Sequence, residues 1–223
     1  SKNMGGLPID LILFAMVAAF LVLRLRSVLG RRTGFERQAQ PEAAPVPVRG
    51  PAAEVDIGPQ PSQGGARRAI PDPRSPAGEA LMQIQKRDRG FDPNRFLDGA
   101  ETAFGMIVEA FARGDRATLK PLLSDEAYAG FDQAIAAREA AGETQRTELR
   151  SVEESGIEAA ELRGSVAEIT VRLVTDQINL VQARDGSIVS GAEAVTEMTD
   201  VWTFQRDLNS GDPTWRLVGS TAA

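Results

Sequence analysis

Five side chains in this 223-residue sequence have the type and setting for proton chemistry. Glu168, Asp176, Asp200 and Asp207 lie on strand-like stretches, and Tyr128 lies on a helix-like one. Carboxylates become acids or bases near neutral pH when an apolar site shifts their proton affinity. No two of these acids show the spacing of a catalytic pair. They alternate with apolar positions, as solvated strand residues do. The chain contains no His and no Cys, which excludes a Ser-His-Asp triad, a thiolate nucleophile, a disulfide and any Cys-ligated metal site. No catalytic residue, metal ligand or cofactor is assigned. The other group with chemical potential is aromatic: Phe104, Phe111, Phe131, Trp202, Phe204 and Trp215 form a candidate apolar pocket, with core packing as the ordinary alternative.

Charge distribution narrows the partners. Residues 1–78 sum to +4 and residues 79–223 to −10, together giving the net charge of −6. Binding to a phosphate backbone needs clustered Lys and Arg, so the acidic part is not expected to touch nucleic acid directly. The two parts are expected to face different surroundings.

Three segments follow from the patterning. In residues 1–34, Leu11 to Leu23 is uninterrupted apolar sequence, and a helix from Pro8 to Leu25 would reach roughly 27 Å at about 1.5 Å per residue. That is thin but sufficient for a single transmembrane helix, with Leu11, Phe14, Val17, Phe20 and Leu23 against lipid. Arg24, Arg26, Arg31 and Arg32 follow the span, the reverse of a signal peptide's order, and form the membrane-interface flank. By the positive-inside rule the N-terminus lies outside and the remainder in the cytoplasm, as in a single-pass bacterial inner-membrane protein.

Residues 35–78 read as a disordered Pro/Ala/Gly-rich linker, since nine of the 13 prolines fall between Pro41 and Pro76 and large apolar residues are few.

Residues 79–223 read as the folded domain. Asp92-Pro93 caps a helix with Phe96, Leu97, Ala100, Phe104, Ile107, Val108 and Phe111 at helical spacing, ending at Gly114. Asp115 caps a short helix to Leu123, and Ser124 caps a third that closes at Gly142. Glu79 to Arg89 is a further short helix. Its few apolar anchors favour packing on the domain over lying on a membrane through Lys86, Arg87 and Arg89. The period then changes to two. Glu148 to Leu162 is a bulged strand or a strand pair interrupted at Ser155-Gly156, Ala167 to Leu173 alternates cleanly, Asp185-Gly186 makes a hairpin turn, and Val195–Asp207 and Thr214–Ser220 close the domain. Helices followed by strands predict an α+β domain with helices packed on a curved antiparallel sheet.

The stretch FDPNRFLDGAETAFGMIVEAFARGDRATLKPLLSDEAYAGF, with VWTFQRDLNSGDPTWRLV near the end, resembles the Tim44-like domain over roughly Phe91 to Val218. Its most specific parts are Phe91, Phe96, Ala100 and Phe104, the Gly114-Asp115 break, and Trp202, Phe204, Arg206, Trp215 and Leu217. The resemblance implies a cone-like fold of the nuclear transport factor two superfamily. The span, arginine cluster and linker are similar to alphaproteobacterial members related to the mitochondrial import-motor scaffold. It implies a membrane-tethered, non-enzymatic adaptor that recruits or organises partners, a membrane-protein complex or a chaperone, in protein translocation or membrane-complex assembly. Membrane lipid would contact the N-terminal helix. Two alternatives stay open: a cone cavity that binds a lipid or other hydrophobic ligand, and a carboxylate-based enzyme of the same superfamily.

Overall fold

The computed structural model describes residues 65–222. The expected transmembrane helix, its arginine flank and residues 35–64 of the expected linker lie outside the described residues, while residues 65–78 hold a short strand at Arg67–Ala69 and the start of a helix at Pro76. Among the described residues, no helix is long and apolar enough to cross a membrane.

The helices begin and end where side chains satisfy their orphan backbone groups. Ser75 accepts from Gly78 N at 3.1 Å and starts α1 (Pro76–Arg87). Asp92 accepts from Asn94 N at 2.7 Å and Arg95 N at 3.3 Å and starts α2 (Pro93–Arg113), while Pro93 loses no hydrogen bond in the first turn. Gly114 ends α2 with φ of 70°, a left-handed cap that favours glycine. Asp115 and Ser124 cap α3 (Arg116–Leu119) and α4 (Asp125–Ala140), with a single 3-10 turn at Lys120–Leu122 between them. The apolar stripe of α2 is buried as its spacing predicts: Leu97, Phe104 and Ile107 are fully covered. The α1 helix buries Leu81 and Ile84 against the sheet, so it is a packed helix.

The strands are β1 (Arg67–Ala69), β2 (Thr144–Arg163), β3 (Val166–Gln182), β4 (Ile188–Asp207) and β5 (Arg216–Ala222), in spatial order of sequence. Strands β2 to β5 form an antiparallel meander, joined by tight turns at Gly164 and Gly186. The expectation of a wholly antiparallel sheet is corrected by β1, which runs parallel to β2 with Arg67 opposite Glu154, so the sheet is mixed. Three residues are too few for a periodic signal. Their pairing depends on distant carboxylates: Arg67 pairs with Glu154, and Arg68 with Asp98 and, at 2.9 Å, Glu101. Gly156 permits the close approach, because a Cβ there would meet the Ala69 Cβ at 3.0 Å.

Residues 148–162 belong to one long strand. Bulges between Leu149 and Ser151, Val152 and Glu154, and Ile157 and Ala159 take up the irregularity seen in the sequence, and each bends and twists the strand further around the helices. Both β2 and β4 extend beyond their expected starts, to Thr144 and Ile188. One face of the sheet carries Ala167, Ile169, Val171, Leu173, Trp202 and Phe204, which join the α2 stripe in a single core.

Loop and cap aspartates tie this fold to pH. Hydrogen bonds to the ionised form hold Asp115 (Thr118), Asp185 (Ser187), Asp207 (Asn209) and Asp212 (Thr214) below the ordinary value of 3.8. Carboxylates depressed in the folded state stabilise it above their unfolded value and cease to do so as pH falls through the folded ones. Urea midpoints should therefore hold down to about pH 5 and fall steeply between about pH 4 and pH 3. A flat profile over that range would show that these bonds contribute nothing.

Candidate functional site

An open groove of about 550 Å³ lies between the N-terminal half of α2 and the β4–β5 end of the sheet. Its floor is aromatic. Phe96 packs edge-on to Trp215 with ring centroids 5.0 Å apart and edge-on to Phe204 at 6.1 Å, and Phe91 lies 6.0 Å from Trp215. Helical spacing brings Ala100, Ala103 and Met106 to the same wall as Phe96, and Leu122 of the 3-10 turn also lines the groove. Met106 is 45 % exposed, an apolar side chain left in water at the rim.

Charged groups border this floor. Arg206 Nη1 donates to Asp88 Oδ2 at 2.8 Å, joining the segment after α1 to the end of β4. Its Nε is buried and has no hydrogen-bond partner among the described residues. The Asp92 carboxylate is engaged by backbone N–H groups, and Asp98 by Arg68. The groove thus offers apolar area with a mixed-charge border. Its volume lies in the range of sites that take small ligands or single side-chain clusters, about 300–1,000 Å³.

The six aromatic residues singled out from the sequence do not line one cavity. Phe204 and Trp215 border the groove. Phe104 packs at a tilt on Trp202 with ring centroids 4.5 Å apart, and Phe111 meets Phe131 edge-on at 5.2 Å; all four are buried in the core. The space beside Phe111, Phe131 and Trp202 is about 10 Å³, the volume of one water molecule at most. Core packing prevails for these four. Phe96, which belongs to the groove, carried a signal in its helical spacing but was not distinguished from core residues by it, and Phe91, before the helix cap, carried no periodic signal.

The carboxylates are dispersed. Glu168 accepts from Gln205 Nε2 at 2.9 Å, and Asp207 accepts from Asn209 N at 2.9 Å in the loop after β4. Alternation with buried neighbours places Glu168, Asp176 and Asp207 on the outer face and Asp200, 3 % exposed, on the inner one. Tyr128 sits on α4 with the Lys120 ammonium 6.0 Å from its ring. Among the described residues no cluster of acids suited to a metal ion is present.

The inner face also carries a polar line that sequence reasoning missed. Arg138 donates to Gln145 Oε1 (2.9 Å), Gln145 Nε2 to Thr147 Oγ1 (3.3 Å), and Thr147 to Asn179 Oδ1 (2.7 Å). Asn179 Nδ2 then donates to Gln177 Oε1 (3.2 Å) and Gln177 Nε2 to Thr175 Oγ1 (2.7 Å). Thr175, Gln177 and Asn179 continue the same face of β3 as Ile169, Val171 and Leu173, so the period-two pattern contained the signal. Polar residues at core positions demand partners. Arg138 is held below its usual pKa by burial, and it also donates to Phe111 O and Ala112 O at the end of α2. The line therefore joins the helical layer to the middle of the sheet.

Helices packed on one face of a curled, mostly antiparallel sheet, with an apolar groove at one end, define an α+β domain. The chain belongs to the Tim44-like domain family, whose profile matches residues 77–222. An uncharacterized protein of Rickettsia prowazekii (strain Madrid E) is 27 % identical over 139 residues, which is 62 % of this chain and 57 % of that protein. The chain thus spans little more than half the length of that relative. Among solved structures, the intermembrane space region of the chloroplast protein ARC6 has a TM-score of 0.43 and 11 % identity, covering 59 % of this chain and 96 % of the other.

Replacing Asn179 by Leu tests the polar line. The substitution keeps an apolar-compatible volume but removes the acceptor of the Thr147 hydroxyl and the donor to Gln177 Oε1. A loss of about 1–3 kcal/mol in urea unfolding is expected.

Proposed function

We propose that this protein is a non-enzymatic adaptor, tethered by residues 1–34 to the inner face of a bacterial cytoplasmic membrane, whose folded domain holds an apolar segment of a protein partner in the aromatic groove. The observation that carries the proposal is the groove itself: a floor of Phe91, Phe96, Phe204 and Trp215 in tilted and edge-on contact, left open beside an exposed Met106. Aromatic residues and Met supply contact area at low entropic cost and dominate the energetic centres of protein interfaces. Membership of the Tim44-like family supports a scaffold-type role at membrane-associated complexes, in protein transport or complex assembly. The linker up to residue 64 acts as the spacer, raising the local concentration of the domain around membrane partners.

Acid–base catalysis finds no support in this geometry. Three of the four strand carboxylates face outward, and the acids bordering the groove are engaged by Arg206, by Arg68 and by backbone N–H groups. A hydrophobic ligand in the groove is the second reading, favoured by the volume of about 550 Å³. Direct contact with nucleic acid is disfavoured by the −10 charge of residues 79–223.

Two experiments separate these statements. Removing residues 1–34 should move the protein from the membrane to the soluble fraction on cell fractionation; a domain that still pellets with membranes would show that the tether lies elsewhere. Met106→Lys places a charge on the groove wall at a site already half exposed, so unfolding should change by less than about 0.5 kcal/mol. Crosslinking in intact membranes should then lose the partner adduct seen with the wild-type chain. If the adduct persists while native mass spectrometry shows loss of a bound lipid, the ligand reading replaces the adaptor reading for this groove.

A further inference from the structure

The β4 strand continues well past the point where its neighbour ends. The β5 strand pairs only with Asp200–Gln205, and among the described residues no strand pairs with the outer side of positions 188–199. An edge of this kind presents a row of backbone N–H and C=O groups to whatever lies beside it. Three of the six exposed large hydrophobic residues among those described lie on this stretch: Ile188 at 59 % exposure, Val189 at 52 % and Val195 at 51 %. Short length, proline or an overlying helix usually blunts an exposed edge. Here the irregularity consists of two register shifts, between Gln177 and Asn179, where β4 steps from Thr196 to Ala192, and between Val181 and Gln182, where it steps from Ser190 to Ile188.

The charges along the stretch indicate what it would receive. The register sets Asp176 directly opposite Glu197. Both alternate with buried inner residues, Thr175 and Gln177 on one strand, Thr196 and Met198 on the other, so both face outward. Like charges opposite one another destabilise a strand pair. No cation offsets them among the described residues: Arg146 reaches Glu193 at 3.7 Å, and Arg172 is engaged by Glu154 and Glu158. A strand added outside β4 would place a side chain next to Glu197 in the same row. Lys or Arg there would offset the two adjacent carboxylates, and apolar β-branched residues would cover Val195 and Val189.

We propose that the outer edge of β4 at positions 188–199 receives an extended segment of a partner protein as a sixth strand, bearing a basic residue beside Glu197 and β-branched residues on either side. A second copy of this chain is a poor occupant, because pairing two such edges adds another Glu193 and Glu197 to an acidic row. The chain's own residues 35–64 are poorer still, since their prolines lack the N–H that a ladder requires and Glu54 and Asp56 flank their Val55. This surface is independent of the aromatic groove, which lies at the opposite end of β4 around Phe204 and Arg206.

The test uses the full chain in detergent and three labelled decapeptides: alternating Lys–Val, alternating Glu–Val and alternating Lys–Pro. Fluorescence anisotropy reports binding, and hydrogen exchange reports where it occurs. The Lys–Val peptide should bind and slow amide exchange in residues 188–199 about tenfold, whereas the other two should not. Glu197→Lys should weaken the Lys–Val peptide about tenfold while leaving thermal unfolding unchanged or improved. Equal binding of the Lys–Pro peptide would mean charge attraction without strand addition and would overturn the proposal. So would protection confined to other segments, absence of Lys–Val binding, or indifference to Glu197→Lys.

Discussion

The contact on which the rest of the domain depends is the burial of the α2 stripe against the inner face of β3 and β4. Phe104 packs at a tilt against Trp202 at its centre, and both are fully buried. An aromatic pair of this kind removes a large apolar area from water, which is the dominant favourable term in folding. Every other layer takes its place from that seam. The α1 helix packs beside α2 on β2, α4 closes the other side through Phe131 and Phe111, and the segment before α4 reaches β5 by the Leu123–Leu217 bridge.

The seam also determines where surface features can exist. A sheet curled around one long helix must leave the ends of that helix incompletely covered. At the N-terminal end of α2 the uncovered region is the aromatic groove, where Phe91, Phe96, Phe204 and Trp215 satisfy one another but do not fill the space. Toward the far end the inner face turns polar, and the line from Arg138 to Thr175 replaces apolar contact with directional bonds. Such a network is costly if incomplete and specifies one arrangement when satisfied. The two ends of the domain therefore differ in chemistry, one adhesive to apolar groups and the other committed to internal structure.

Much of the helical layer was legible from local signals. Asp92-Pro93, Gly114, Asp115 and Ser124 mark helix ends because capping involves atoms only two or three residues apart. The strand reading succeeded where alternation was clean, from Ala167 to Leu173, and became ambiguous around Ser155-Gly156, where three bulges shift the period. The groove was half legible. Phe204 and Trp215 were singled out with four residues that prove to be core, because an aromatic residue on a buried face reads alike whether or not its far side has a neighbour.

By itself the sequence determined the element types, the caps, the turns at Gly164 and Gly186, and the absence of His- and Cys-based chemistry, all consequences of local geometry or of composition. Tertiary structure alone decided that β1 joins the sheet in parallel, that Phe104 and Trp202 share the core while Trp215 borders a groove, and that Asp176 faces Glu197 across the β3–β4 ladder. These depend on register and on which surfaces meet, relations between residues tens of positions apart that no local spacing encodes.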